Sequence, residues 1–201
     1  CITFPAMLAG VNDTPAPGQQ NYQLPAQVIA NEFLNFGDDK FSKSRGNIIE
    51  IDWFAAKYGS EPLRYYLTAV APEGNDSTFT WEDFLQRYNG ELADVLGNFV
   101  HRVLTFTMNK LGGKVPEPTA GQASSGTIQA SSGTIQASGG TVAFQAETAA
   151  AMQTVGAQLD TFQFRNAAAT IIACARAGNV FFDTNAPWKS VKSDMAECQR
   201  V

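Results

Sequence analysis

The sequence predicts a mainly α-helical chain, and three observations carry that prediction. The segment from Thr80 to Gly113 sets apolar residues at helical spacing over some eight turns. Two Ala-rich stretches, 144–160 and 162–183, combine high helix propensity with small side chains that permit close packing. The only strand-like alternation, and an imperfect one, is QVIANEFLNF at 27–36.

Each element has its own signals. Residues 1–10 are apolar and stop at Gly10, like the last turns of a buried helix. A Pro-, Asn- and Gln-rich loop (11–26) and a short strand within 27–36 follow, and 37–47 reads as an exposed loop. Ile51, Phe54 and Tyr58 lie at helical spacing, with Gly59 as the stop. The next helix covers 61–70, with Pro62 near its first position, and 71–79 is a break. Thr80 then caps a helix of about 30 residues and ~45 Å, with Asp83 in a capping-box position. Its expected apolar face is Phe84, Tyr88, Leu92, Val95, Leu96, Phe99, Val103 and Leu104, and Lys110 with Gly112–Gly113 suits its end. A last helix begins near Pro187, with Asn185 or Ala186 at the cap.

Between these helices the composition collapses. ASSGTIQ occurs twice from residue 123 and is followed by a decayed copy. The period of seven lacks an apolar a/d pair, so a flexible linker over 114–142 is expected in place of a coiled coil.

Composition narrows the functional classes. The 201 residues suffice for one or two domains, and 44% hydrophobic content supports a core. A net charge of −5 argues against broad coating of nucleic acid, yet permits a local anion site acting within a Debye length of ~8–10 Å. Three scattered cysteines (Cys1, Cys174, Cys198) and one histidine (His101) lack metal-ligand spacing, so no metal site is expected. Their sparse, odd number fits a reducing cytosol. No run of 18 apolar residues occurs, so no membrane partner is expected. The opening CITFPAMLAG has no basic region and no initiator Met, which argues against a signal peptide and for a missing upstream part.

The segment KFSKSRGN (40–47) concentrates positive charge on a small, hydroxyl-bearing loop in an acidic chain. Lysine ammonium groups, serine hydroxyls and a glycine that admits close backbone approach suit a polyphosphate. The segment resembles the KMSKS signature of class I aminoacyl-tRNA synthetases, with Phe41 in place of Met. FPAML (4–8), YGSEPLRYYLTAVAP (58–72), DFLQRYNGELADVLGNFVHR (83–102) and NAPWK (185–189) resemble the methionyl-tRNA synthetase family in order and spacing. That likeness covers nearly the whole chain except 114–142.

The resemblance implies the end of a Rossmann-type catalytic domain (1–78), with its lysine loop and stem-contact region. A helical anticodon-binding bundle (79–201), interrupted by the repeat, would follow. It implies Lys43 as principal catalytic lysine, Lys40 as its assistant, and Lys40, Ser42, Lys43, Ser44, Gly46 and Asn47 as the ATP-binding loop. It implies Asn98, Arg102, Pro187 and Trp188 as anticodon-binding residues. The implied substrates are methionine, ATP with Mg2+, and tRNA(Met), with no DNA partner and a cytoplasmic location. The HIGH motif, the zinc-binding insertion and most of the methionine pocket belong upstream in that family. The chain is therefore read as a C-terminal fragment, inactive alone, with zinc confined to the missing part. Rival readings are a stand-alone tRNA-binding or interaction module, and a piece of a valyl-, isoleucyl- or leucyl-type enzyme. His101, Tyr65 and Tyr66 are expected to be structural, and Trp53 and Trp81 to pack.

Overall fold

Residues 2–115 and 139–193 are described in the structure, a computed structural model. The heptapeptide repeat and the tail past Ser193 lie outside them, so the expected linker is described only at its ends. At its far end, Gly139–Val142 belong to helix α6 (Gly139–Asp160) and not to linker. Extending an existing Ala-rich helix costs far less than starting one, which accounts for the earlier start.

The first helix, α1 (Thr3–Asp13), runs three residues past Gly10. One interior glycine costs only about 1 kcal/mol against alanine, too little to end a helix by itself. None of its residues is buried, and Phe4 and Met7 are 67% and 63% exposed, contrary to the buried helix expected. Helical spacing alone therefore did not amount to burial.

Three short strands follow: β1 (Leu34–Phe36), β2 (Asp39–Lys40) and β3 (Ser77–Phe79). Their order is β2-β1-β3. β2 folds back antiparallel on β1, pairing Asn35 with Lys40. β3 runs parallel to β1, with Leu34 opposite Ser77 and Phe36 opposite Phe79. The parallel pair needs a crossover, and α2 (Ile51–Tyr58) and α3 (Ser60–Ala69) provide it. The segment expected to be a plain break thus contains β3. Its three residues are too few for alternation to show, and pairing with β1 defines it.

Between sheet and crossover lies a core of Phe54, Tyr66, Val70, Phe79 and Phe84. Phe54 is fully buried as its spacing predicted, but Ile51 is 71% exposed. Ile51 is the first residue of α2, ahead of the turn that meets the core. Trp81 stacks on Phe54 with centroids 5.9 Å apart, and Trp53 is half exposed beside it. Gly59, at φ 84°, ends α2 and leads directly into α3.

The Thr80 hydroxyl accepts the Asp83 N–H at 3.1 Å, as a cap should. The reciprocal half of the box is replaced: Asp83 accepts from the Tyr66 hydroxyl at 3.0 Å and from Arg87 Nε at 3.1 Å. The long helix is not uniform. α4 (Trp81–Arg87) passes into a π-helical stretch (Tyr88–Gly97), and α5 (Asn98–Lys110) continues from it. Bonds from i to i+5 add a residue to each turn, so the 3.6-residue period carried from Phe84 slips. Leu104, placed on the apolar face by that period, is 59% exposed. Phe106 turns inward instead and meets Phe182 edge-on at 5.8 Å.

α7 (Phe164–Asn185) pairs with α6 and buries Ala167, Ala168, Ile172 and Ala175. At Gly178 a Cβ would fall 2.7 Å from the Phe99 ring. Replacing Gly178 with valine is expected to destabilise the fold by at least ~1–3 kcal/mol, measured by thermal denaturation, because a packed aromatic and a helix backbone must both move. α7 stops at Ala186, which takes φ 42°, and α8 (Pro187–Ser193) follows. No helix among the described residues is long and apolar enough to cross a membrane.

Candidate functional site

The lysine loop is more ordered than a plain exposed loop. Ser42 and Asn47 exchange backbone hydrogen bonds of 2.9 and 3.0 Å, closing a small ring. Inside it, the Gly46 N–H donates to the Lys43 carbonyl at 3.1 Å, and Gly46 adopts φ 71°, a conformation that favours glycine. Asn47 Nδ2 donates to the Lys40 carbonyl at 3.1 Å, so it ties the ring to the end of β2. Ser42 and Ser44 hydroxyls lie 3.2 Å apart. Phe41 stacks on Phe36, centroids 5.2 Å apart and planes within 10°. The aromatic ring that departs from the family motif thus anchors the loop to β1.

Within this ring Lys43 is exposed, and Lys40 Nζ rests 4.6 Å from the Phe33 ring centroid. Arg45 lies 3.7 Å from Asp39. Five of the six loop residues named from the sequence, Ser42, Lys43, Ser44, Gly46 and Asn47, therefore sit on one closed turn with one ammonium group and two hydroxyls, and Lys40 lies just ahead of it at the end of β2. Such a turn can bind and neutralise a polyphosphate by charge and hydrogen bonding. Among the described residues no group of three His, Cys, Asp or Glu side chains would hold a metal ion.

The second cluster lies where α5, α7 and the start of α8 meet. Arg102, Phe106, Phe182 and Trp188 line one concavity of about 370 Å³, together with His101 and Lys110. Trp188 is 41% exposed, and its ring centroid is 5.7 Å from that of Phe182. Pro187 is fully buried, so its part is to fix the turn that presents Trp188. Asn98 lies one turn away in an adjoining concavity with Asp94 and His101. The structure thus brings Arg102 and Trp188 together and leaves Asn98 beside them, with His101 lining both hollows.

Three partners of Arg102 were not singled out from sequence. Asp183 pairs with its guanidinium through both Nη atoms, one of them at 3.2 Å. Asn179 Oδ1 accepts from Nη1 at 3.4 Å, and the Phe182 ring lies 4.9 Å from Cζ. The hydrogen bond from Arg102 holds the Asp183 carboxyl below its usual range. A signal existed: Asn179 and Asp183 are polar residues four apart on an otherwise Ala- and Phe-rich helix.

A third set of contacts joins α3 to the long helix. The Tyr65 hydroxyl donates to Glu91 at 2.6 Å, and Arg87 bridges Asp83 and Glu91. Burial, and then the bond to Asp83, pushes the Tyr66 phenol up to about 12. Burial, followed by the bond to Glu91, likewise raises Tyr65. Both tyrosines therefore pack and bond internally, while Arg64 is exposed beside Glu61.

Comparison with known proteins gives a consistent family. A family model described as tRNA synthetases class I (M) matches residues 1–104. A second, described as the anticodon binding domain of methionyl tRNA ligase, matches 133–201. The methionine–tRNA ligase of Porphyromonas gingivalis is 39% identical over 198 residues, which cover 97% of this chain and 25% of that protein. That of Methanobrevibacter smithii is 36% identical over 173 residues, covering 86% of this chain and 24% of that protein. A solved structure of Mycobacterium tuberculosis methionyl-tRNA synthetase in complex with methionyl-adenylate superposes with a TM-score of 0.76 at 26% identity. The match covers 99% of this chain and 35% of that one. The chain spans about a quarter of the length of the curated relatives.

Proposed function

Because this chain belongs to the class I methionyl-tRNA synthetase family, we propose that it supplies the phosphate-binding lysine loop and the anticodon-binding bundle of a methionine–tRNA ligase. The observation that carries the proposal is the closed turn Ser42–Asn47, a site for polyphosphate on a chain of net charge −5. In the proposed reaction the methionine carboxylate attacks the α-phosphorus of ATP, the bond to pyrophosphate breaks, and methionyl-adenylate forms. Negative charge grows on the phosphate oxygens as this happens. Lys43 meets that charge, Lys40 assists it, and Ser42, Ser44 and the backbone at Gly46 and Asn47 bind phosphate oxygens. Mg2+ would arrive with ATP as part of the substrate.

The bundle is proposed to read the anticodon of tRNA(Met). Trp188 offers a half-exposed indole on which an unstacked base can lie, and Asn98 and Arg102 offer polar groups for base edges. We place the boundary between the catalytic part and the bundle near residue 78, just before the Thr80 cap. A cytoplasmic setting, where tRNA is charged, follows from this function. A stand-alone interaction module is not favoured, because the likeness spans both the loop and the bundle.

Direct titration tests the bundle's part. Quenching of tryptophan fluorescence by an RNA stem-loop carrying CAU is expected to give binding at least about tenfold tighter than a loop with one altered anticodon base, since one mismatched polar contact is worth ~1–3 kcal/mol. Equal affinity for the two loops would remove the anticodon assignment.

A further inference from the structure

We propose that Asn179 is a positioning residue for the anticodon-reading pair Asn98 and Arg102, an inference that rests on the anticodon assignment above. Asn179 lies on α7, yet its amide touches α5 and the π-helical stretch. Nδ2 donates to the Val95 carbonyl at 3.0 Å and to the Ala175 carbonyl at 3.3 Å, and Oδ1 accepts from Arg102 Nη1 at 3.4 Å. Only this orientation of the amide satisfies all three partners, because a flipped amide would set its oxygen against two carbonyls and its N–H groups against a guanidinium.

The Val95 carbonyl is the informative partner. It lies inside the π-helical stretch, and it also accepts from the backbone N–H of Asn98, whose N–H is shared with the Ala93 carbonyl. One side chain therefore holds both Arg102 and the carbonyl against which Asn98 is set. The wide turn depends on Gly97, where a Cβ would come within 2.9 Å of the Leu92 carbonyl oxygen. It also leaves carbonyls less regularly paired than an α-helix would, and Asn179 reaches one of them. The reach is possible because the preceding residue, Gly178, lets α7 approach the Phe99 ring without a side chain between. Asp183 holds the same guanidinium, but among the described residues it bonds Arg102 and not the π-helical stretch, so it does not couple the two readers in this way.

The test uses the full-length synthetase carrying this segment. Asn179→Ala is expected to raise the KM for tRNA(Met) about tenfold with kcat changed by less than about twofold, the size of a lost contact-network interaction. Asn179→Asp keeps the volume and the acceptor but removes both donors, and the same rise is expected because the Val95 carbonyl loses its partner. In a background lacking both readers, Asn98→Ala with Arg102→Ala, neither substitution should add more than about twofold, since the groups the residue acts through are already gone. A wild-type KM in both single variants, or a tenfold rise that persists without both Asn98 and Arg102, overturns the inference and leaves the anticodon assignment standing. Unfolding of both variants also overturns it, because the amide would then be a core group. If Arg102→Ala itself charges tRNA like the wild type, the anticodon assignment falls and takes the inference with it.

Discussion

Lys43→Ala in the full-length enzyme is expected to lower methionine activation by at least ~100-fold, as for other single groups that meet charge developing in a transition state. The structure sharpens this expectation. Lys43 occupies the first position of the turn that Gly46 closes, and it is exposed, so its ammonium is available to an incoming phosphate. Lys40 is different: its Nζ rests over the Phe33 ring and must leave that contact to assist. Lys40→Ala should therefore be milder. Methionine affinity should survive both changes, because the loop is proposed to meet phosphate and not the amino acid. Pyrophosphate exchange measures the first quantity and equilibrium binding the second. Adenylate formation at the wild-type rate in Lys43→Ala would rule out the catalytic role.

Trp188→Ala is expected to weaken aminoacylation of tRNA(Met) by ~10-fold or more while methionine activation stays near normal, because one base stacked on an aromatic face is worth ~1–3 kcal/mol. Two observations support this split. The indole is 41% exposed on a concavity that also holds Arg102, while the neighbouring Pro187, fully buried, carries the turn's packing. Truncating the indole also removes its 5.7 Å contact with Phe182, which in turn lies against the Arg102 guanidinium. Trp188→Phe, which keeps an aromatic face, should recover much of the loss. Equal damage to activation and aminoacylation, or a collapsed melting transition, would show that the indole is core.

Much of this arrangement was legible in the sequence because it rests on local chemistry. Thr80 is a cap wherever a helix begins after it, and Gly59 and Pro187 mark their turns through backbone limits that act within a residue or two. The lysine loop was legible as a motif from its residue types. What stayed hidden depends on residues far apart in the chain. β3 exists only because Leu34–Phe36 lie beside it, 43 positions away between paired residues Leu34 and Ser77. The π-helical stretch breaks the fixed period, and Leu104, placed on the apolar face, is exposed, whereas Phe106, given no face by the sequence, meets Phe182. The exposure of α1 could not be read either, because helical spacing says which residues share a face and not what covers it. At the candidate interface Trp188 and Arg102 were singled out from the sequence, whereas Asn179 and Asp183 were missed, since their partner lies on another helix.

The attachment of the lysine turn has a consequence for how the protein opens. β2 has two residues, pairs with β1 alone and stands at the edge of the sheet, whereas β3 carries the buried Phe79 on the opposite side. Detaching β2 exposes little beyond the Phe36–Phe41 stack, so it belongs to the cheapest class of excursions that a native protein makes. Amide protons from Asp39 to Asn47 should then exchange with solvent through sub-global openings, while those of β1 and α3 wait for unfolding of the whole. A polyphosphate that seats on the turn would slow the first group and leave the second untouched, so the free-energy cost of moving the lysines stays separate from the stability of the core that carries them.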